Sequence, residues 1–291
     1  MPRDTVSAQT LVRRLVQSAS ADVASTEAEA LRDEPDGVHR HRTRVRRLRT
    51  VLSVVRRVTD PGETRELRRS LKRWGSTLGE ARDAEVRAER ADEALTALGI
   101  DDADARRRLV GDERAAYRHL HERIAAEPQT DEGHRRRQLV REAGLTLEVE
   151  HPDAKSAKVV RRLVRREAKR VSRAVSAADG SLDRFHDVRK AARRLRYLAE
   201  AVDAANPGML GGDVQRLGRA AKRVHKLLGE HRDDLLLADR ARRLRARAFT
   251  AQESTAPYDA VSAWAHDRAE QQLDGVPKAV KKLRKAAKRL R

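Results

Sequence analysis

The chain has 291 residues, of which 38% are charged and 2% aromatic, and its 65 Lys and Arg against 45 Asp and Glu give a formal net charge of +20. So few aromatics leave the core to Leu, Val and Ala, which suits long helices packed side by side in an all-α protein, and the charge calls for a polyanionic partner: nucleic acid, an anionic membrane or inorganic polyphosphate. The absence of cysteine excludes disulfides, zinc thiolates and thiol nucleophiles and fits a reducing cytoplasm; no signal peptide and no apolar run of about 18 residues is read, so no membrane association is expected.

Residues 4–32 read as a helix with Leu11, Val12, Leu15, Val16, Ala19 and Val23 as its apolar stripe. Pro35, Asp36 and Gly37 break it, and Asp36 is the expected N-cap of the next helix. That helix carries His39-Arg40-His41-Arg42-Thr43-Arg44-Val45-Arg46-Arg47-Leu48-Arg49 and ends before Pro61 and Gly62. A long helix is predicted over 63–98, with Leu67, Leu71, Trp74, Leu78 and Val86 inward, and another over 101–127 through Leu109, Tyr117, Leu120 and Ile124. Residues 128–153 hold Pro128, Gly133, Gly144 and Pro152 and read as a connection with a short helix near 135–142. A new helix starts near 154. The chain closes on residues 278–291, where Val280, Leu283, Ala287 and Leu290 form a narrow apolar seam among Lys and Arg.

The second half repeats the first. Val159-Val160-Arg161-Arg162-Leu163-Val164 follows Leu11-Val12-Arg13-Arg14-Leu15-Val16 by 148 residues. His186-Asp187-Val188-Arg189-Lys190-Ala191-Ala192-Arg193-Arg194-Leu195-Arg196 follows the first His/Arg stretch by 147, and both read H-x-x-R-x-x-x-R-R-L-R. Pro207-Gly208 follows Pro61-Gly62 by 146, and Leu228-Gly229-Glu230 follows Leu78-Gly79-Glu80 by 150. Landmarks in one order at nearly one offset amount to an internal duplication, with residues 1–150 and 151–291 as two repeats of about four helices each.

The His/Arg spacing has a physical meaning on a helix. At about 100° per residue, positions 0, +3, +7 and +10 fall within an arc of roughly 80°. His39, Arg42, Arg46 and Arg49 therefore form one stripe, and His186, Arg189, Arg193 and Arg196 form it again. Val45, Leu48, Val51, Leu52 and Val55 lie on the opposite side of the first helix, as do Ala192, Leu195, Leu198, Ala199 and Val202 of the second. Like charges one turn apart destabilise a helix, and an ordinary solvated face mixes in Glu, which these stripes lack. The recurrence of the whole stripe points to an anion site.

The duplicated H-x-x-R-x-x-x-R-R-L-R helix, followed by a Leu-Gly-x-x-x-Asp helix, resembles the CHAD domain, the conserved-histidine α-helical domain, over residues 5–290. The resemblance implies two four-helix bundles related by a pseudo-twofold axis, with basic helix faces lining a central channel. It also implies binding of inorganic polyphosphate and association with polyphosphate granules. Carried over by position, the ligands are His39, Arg42, Arg46, Arg49, His186, Arg189, Arg193 and Arg196, with Arg47 and Arg194 about 80° off the stripe as edge binders. Lys158, Arg162, Arg165 and Lys169 follow at the same spacing. Arg14 matches Arg162, whereas Gln17 stands where Arg165 does. Lys281, Lys282, Lys285 and Lys288 are further candidates. Glu148-Val149-Glu150-His151-Pro152 breaks the E-x-E-x-K signature of the triphosphate tunnel domain that often accompanies this family, so that domain is not expected here.

Polyphosphate has no bases, and a reader of it needs dense cations rather than the aromatic platforms of single-strand binders. The aromatic scarcity favours polyphosphate; phosphate, sulfate and nucleic acid are expected to compete non-specifically, and nucleic-acid binding stays open as the alternative. Each first-turn His can also donate to a phosphate. His41, His119, His225, His231 and His266 read as structural or surface. Asp83 and Asp233 are expected to pair with stripe arginines. No Walker loop, nucleophile–base set or metal spacing is found, so binding without catalysis, cofactor or metal is expected.

Overall fold

A computed structural model describes residues 6–290. The described residues are 81% helical and hold no strand, with isolated bridges pairing Ser7 with Lys155 and Thr59 with Val149. The helices are α1 (Ala8–Leu31), α2 (Gly37–Val55), α3 (Arg65–Ala97), α4 (Ala103–Arg106), α5 (Asp112–Ala126), α6 (Asp131–Glu142), α7 (Ser156–Ser176), α8 (Leu182–Ala205), α9 (Asp213–Thr250), α10 (Ala256–Asp274) and α11 (Val276–Arg289). The expected helix start at residue 4 and the final Arg291 lie outside the described residues.

Local chemistry sets several of these starts. Ser7, Thr130 and Ser181 each accept a backbone N–H three residues on, at 3.2, 3.0 and 3.4 Å, opening α1, α6 and α8. Asp36 does not act as the expected cap. It takes the left-handed conformation, φ 61°, and makes no side-chain cap bond. The turn presses Gly37 against α1, where a Cβ would lie 2.6 Å from the Glu29 carbonyl oxygen, so a glycine is required there.

The chain divides into two compact units, and α3 and α9 run through both. The first comprises Met1–Leu78, Ile124–His225 and Lys278–Arg291; the second comprises Gly79–Arg123 and Lys226–Pro277. Each draws on both halves of the sequence, so neither coincides with residues 1–150 or 151–291.

In the first unit α1 packs on α2, α7 on α8, and α8 on both α1 and α2. Leu11, Leu15, Leu48, Leu52, Leu195 and Leu198 are essentially inaccessible and join these helices into one core. Ser7 and Lys155, which bridge, are 148 residues apart, the offset of the repeat that follows them. A buried polar network sits beside this core. Trp74 Nε1 donates to His41 Nε2 at 2.8 Å, and His41 Nδ1 lies 3.0 Å from Thr26 Oγ1. The Arg136 guanidinium stacks 4.1 Å over the Trp74 ring and pairs with Glu27 and Glu127. Burial, and then Arg136, push His41 down to about 3. The imidazole is therefore neutral, with its proton assigned to Nδ1 because Nε2 accepts from Trp74.

The second unit has an alanine-rich core, in which Ala91, Ala94, Ala238, Ala241 and Ala265 let helices approach around Leu95, Leu109 and Val261. Its buried Glu113 is held between Arg87 at 2.9 Å and Arg240 at 2.6 Å. Asp83 and Asp233 belong to this unit. Its fully buried carboxylate is instead Asp234, 3.8 Å from Arg90 and 3.9 Å from Arg268 and raised to about 6 by burial.

Candidate anion-binding site

The two stripe helices of the first unit, α2 and α8, pack on each other. Each buries its Leu/Val/Ala side and leaves Arg42, Arg46, Arg49, Arg189, Arg193 and Arg196 half-buried. These six converge electrostatically. Burial lowers the Arg193 guanidinium below its ordinary value; Tyr197 opposes this, and Arg189, Arg42 and Arg49 add to it. Burial also drives His225, on α9, down to about 3, reinforced by Arg189, Arg193, Arg196 and Arg46. All six stripe arginines thus act on two neighbouring side chains. Arginine stays charged under such pressure. Like charges gathered on one face repel, and an anion placed among them would offset that repulsion.

The cations continue beyond the stripes. Arg49 is lowered by burial and by Arg68 of α3, and Arg68 by burial, Arg56 and Arg194. Arg57 is lowered by burial and then by Arg166 of α7, with Arg194 and Arg56 adding to it against Glu167. A track therefore leads from the α2–α8 contact to α7. There Lys158, Arg161, Arg162, Arg165, Arg166 and Lys169 line an open groove of about 530 Å³. Arg165 within it donates to the Leu290 carbonyl.

Arg47 and Arg194, expected at the stripe edges, are committed to the protein. Arg47 bridges Asp22 at 3.0 Å and Glu200 at 2.8 Å. Arg194 donates to Glu167 at 2.7 Å and to Ser53 Oγ at 2.8 Å. Their angular offset turns them into the helix contacts, where they act as clamps. Arg196 is on the stripe yet also pairs with Glu200, at 2.6 Å. His39 is exposed and His186 half-buried, and both already interact within the chain. Arg14 stands exposed on α1, and Lys281, Lys282, Lys285 and Lys288 are exposed along α11. None of these five is among the charges acting most strongly on Arg193 or His225.

His225 and Arg68 are neighbours of the stripe arginines that reading the repeats for likeness overlooks. Aligning the Leu-Gly-Glu segments at their offset of 150 sets Gly75 against His225 and Arg68 against Gly218. Each repeat has a basic side chain where the other has glycine. A Cβ at Gly75 would lie 3.2 Å from Arg49 Nη1, so the glycine leaves that guanidinium its room. Among the described residues no group of three or more His, Asp and Glu is arranged to hold a metal ion.

The sequence pattern of the CHAD domain matches residues 14–242. Two uncharacterized proteins of Mycobacterium tuberculosis, from strains CDC 1551 and H37Rv, are each 29% identical over 276 residues, covering 89% of this chain and 50% of the relative. The chain therefore spans about half the length of those relatives. The crystal structure of the CHAD domain from the plant Ricinus communis superposes with a TM-score of 0.69 at 19% identity, covering 100% of this chain and 94% of its own. PptA from Streptomyces chartreusis superposes with a TM-score of 0.62 at 19% identity, covering 96% and 99%. At such identity these likenesses carry the fold.

Proposed function

The chain belongs to the CHAD domain family, and on that premise we propose that it binds inorganic polyphosphate along the cationic face of its first unit, without catalysis, and so associates with polyphosphate granules. The observation that carries this reading is the convergence of six arginines, three from each repeat, on Arg193 and His225. A linear anion with about one charge per phosphate and no bases fits a site of closely spaced guanidiniums, each able to fork onto phosphate oxygens. The track through Arg68 to Arg166 gives a long chain a path toward the α7 groove. His39 and His186, near their helix N-termini, add donors at the ends of the stripes. The described residues include no helix long and apolar enough to cross a membrane.

Titration of two triple variants tests this. Changing Arg42, Arg46 and Arg49 to Ala should weaken polyphosphate binding strongly, and so should changing Arg189, Arg193 and Arg196. Long chains should lose more than short ones, because linked contacts raise effective concentration. Single-stranded DNA and RNA serve as competitors at physiological salt. Binding of either that matches polyphosphate, and survives both triple variants, rejects the proposal.

A further inference from the structure

A second cationic groove lies in the first unit, between α9 and α11, with a volume of about 510 Å³. Arg216, Arg219 and Arg223 line it from α9, and Lys282, Lys285 and Arg289 from α11. Both triplets have the spacing 0, +3, +7, which keeps each on one helical face over about 10 Å of axis. All six are exposed. Arg216 pairs with Asp213 at 2.7 Å; the other five have no carboxylate partner among the described residues. Ala220 and Ala286 line the groove too, small residues that leave a bound chain room between the rows.

This groove is not the stripe site seen from another side. No stripe arginine lines it, and none of its six cations is among the charges acting most strongly on Arg193 or His225. Nor does α11 offer an amphipathic face for a lipid surface. Ala279 and Leu283 are buried, and Leu283 borders Val171 of α7 and Leu195 of α8, so its apolar side is already used. Two rows of cations, five of the six without a carboxylate partner among the described residues, match an extended, unbranched polyanion, and no aromatic side chain lines the groove to stack a base.

We propose that the α9–α11 groove is a second, separate binding site for a linear phosphate chain, so that one protein holds two chains or two stretches of one. This rests on the polyphosphate reading above and adds a site that the stripes do not supply. Two sites on one molecule make it a cross-linker of long chains.

The test is calorimetric titration of the full chain with a short linear polyphosphate. The groove variant combines Arg219→Gln, Arg223→Gln, Lys282→Gln and Lys285→Gln, all at exposed positions, and a thermal melt establishes that it folds. The stripe variant combines Arg42→Ala, Arg46→Ala and Arg49→Ala. The expected result is two short chains per wild-type protein and one per groove variant with the remaining affinity intact. The stripe variant should also bind one at full affinity, and the groove variant should lose about tenfold or more for long chains. Two short chains on the groove variant overturn the proposal. One chain on the wild type, kept by the groove variant and lost by the stripe variant, overturns it while leaving the polyphosphate reading intact. No short-chain or long-chain binding by the wild type removes both. If the groove variant instead loses phosphatidylserine vesicles while keeping two polyphosphate sites, the groove serves a lipid surface and the proposal falls.

Discussion

Arg47 of α2 donates to Glu200 of α8 at 2.8 Å, and the bond is returned: Arg194 of α8 donates to Ser53 of α2 at 2.8 Å. Arg47 and Arg194 are 147 residues apart, and so are Ser53 and Glu200. Position i meets j while i's counterpart meets j's counterpart, which is the pattern of a two-fold contact. The clamp holds the stripe helices together. It is also asymmetric, because one side is an ion pair and the other a guanidinium donating to a neutral hydroxyl. Glu200 further accepts from Arg196 and so neutralises part of the second stripe.

Glu200→Gln should separate the two roles. Loss of the charge-assisted bonds to Arg47 and Arg196 should cost about 1–3 kcal/mol of stability, read by urea unfolding. Removal of a carboxylate beside the stripes should raise affinity for polyphosphate by about two- to tenfold, because one competing anion has gone. Affinity that falls in step with stability would show that Glu200 positions Arg196 more than it neutralises it.

The pattern of the fold was legible where it rests on periodicity. The stripe helices carry Leu and Val on one side and Arg on the other, and this decided both what they bury and what they expose. Two things were not legible. Each compact unit takes segments from both halves, because packing brings α2 onto α8 across more than a hundred residues of chain, and no local signal encodes that. His225 and Arg68, neighbours of the stripes, sit where the repeats differ, so a search for repeated motifs passes over them. The carboxylate partners of Arg47 and Arg194 were not legible for a related reason. Spacing shows that the two arginines leave the stripe, whereas the carboxylates that capture them, Asp22, Glu200 and Glu167, come from elsewhere in the sequence.

Acid should unfold this protein early. His41 and His225 are both pushed from 6.5 down to about 3 and stay neutral in the folded state. The unfolded chain takes up a proton at each near 6.5, so between those values it binds more protons than the folded chain. Their contribution to stability is therefore fully present above about pH 6.5 and is lost as the pH falls toward 3. The limiting slope is about 1.4 kcal/mol per pH unit for each histidine. Urea unfolding between pH 7 and pH 5 measures it. Asp234, raised to about 6, works in the opposite sense below that pH. His225→Gln should therefore lower the slope by up to about 1.4 kcal/mol per pH unit, and an unchanged slope in that variant would exclude His225 as a source.

Binding should also be coupled to protons. The arginines that help hold His225 down are the ones a polyphosphate would neutralise, so bound phosphates should let its pKa rise. A ligand that raises a pKa binds more tightly as that group protonates. Burial, the largest cause of the depression, stays in the complex, so the rise in affinity should lie between the free value of about 3 and the ordinary 6.5. Net proton uptake should be seen by calorimetry near pH 5, in buffers of different ionisation enthalpy, and be absent at about pH 7.5. His225→Gln should abolish the uptake. Uptake that persists in this variant would assign the proton to another group, with His39 and His186 the next to test.

Salt dependence decides whether the two stripes grip one chain. For single-stranded nucleic acids the log of affinity falls with log salt by about 0.7 per phosphate neutralised, and that scale is used for polyphosphate. Six arginines engaging about six phosphates give a slope near −4 by that scale. Either triple variant, Arg42, Arg46 and Arg49 to Ala or Arg189, Arg193 and Arg196 to Ala, should bring it near −2. If both stripes hold the same stretch of chain, the two sets of substitutions are coupled. The sixfold variant should then lose less than the sum of the two triple losses, because after the first set the chain no longer lies where the second can grip it. Independent stripes predict the reverse pattern: additive losses, and in each triple variant an unchanged slope for the site that remains, with fewer chains bound. The same titrations, run with long polyphosphate at four salt concentrations and with Arg219→Gln, Arg223→Gln, Lys282→Gln and Lys285→Gln present in every protein so that the α9–α11 groove does not contribute, distinguish these outcomes, and thermal melts establish that the variants are folded. Folding should survive, since the six arginines lie off the Leu/Val face and their removal relieves like-charge repulsion along each helix.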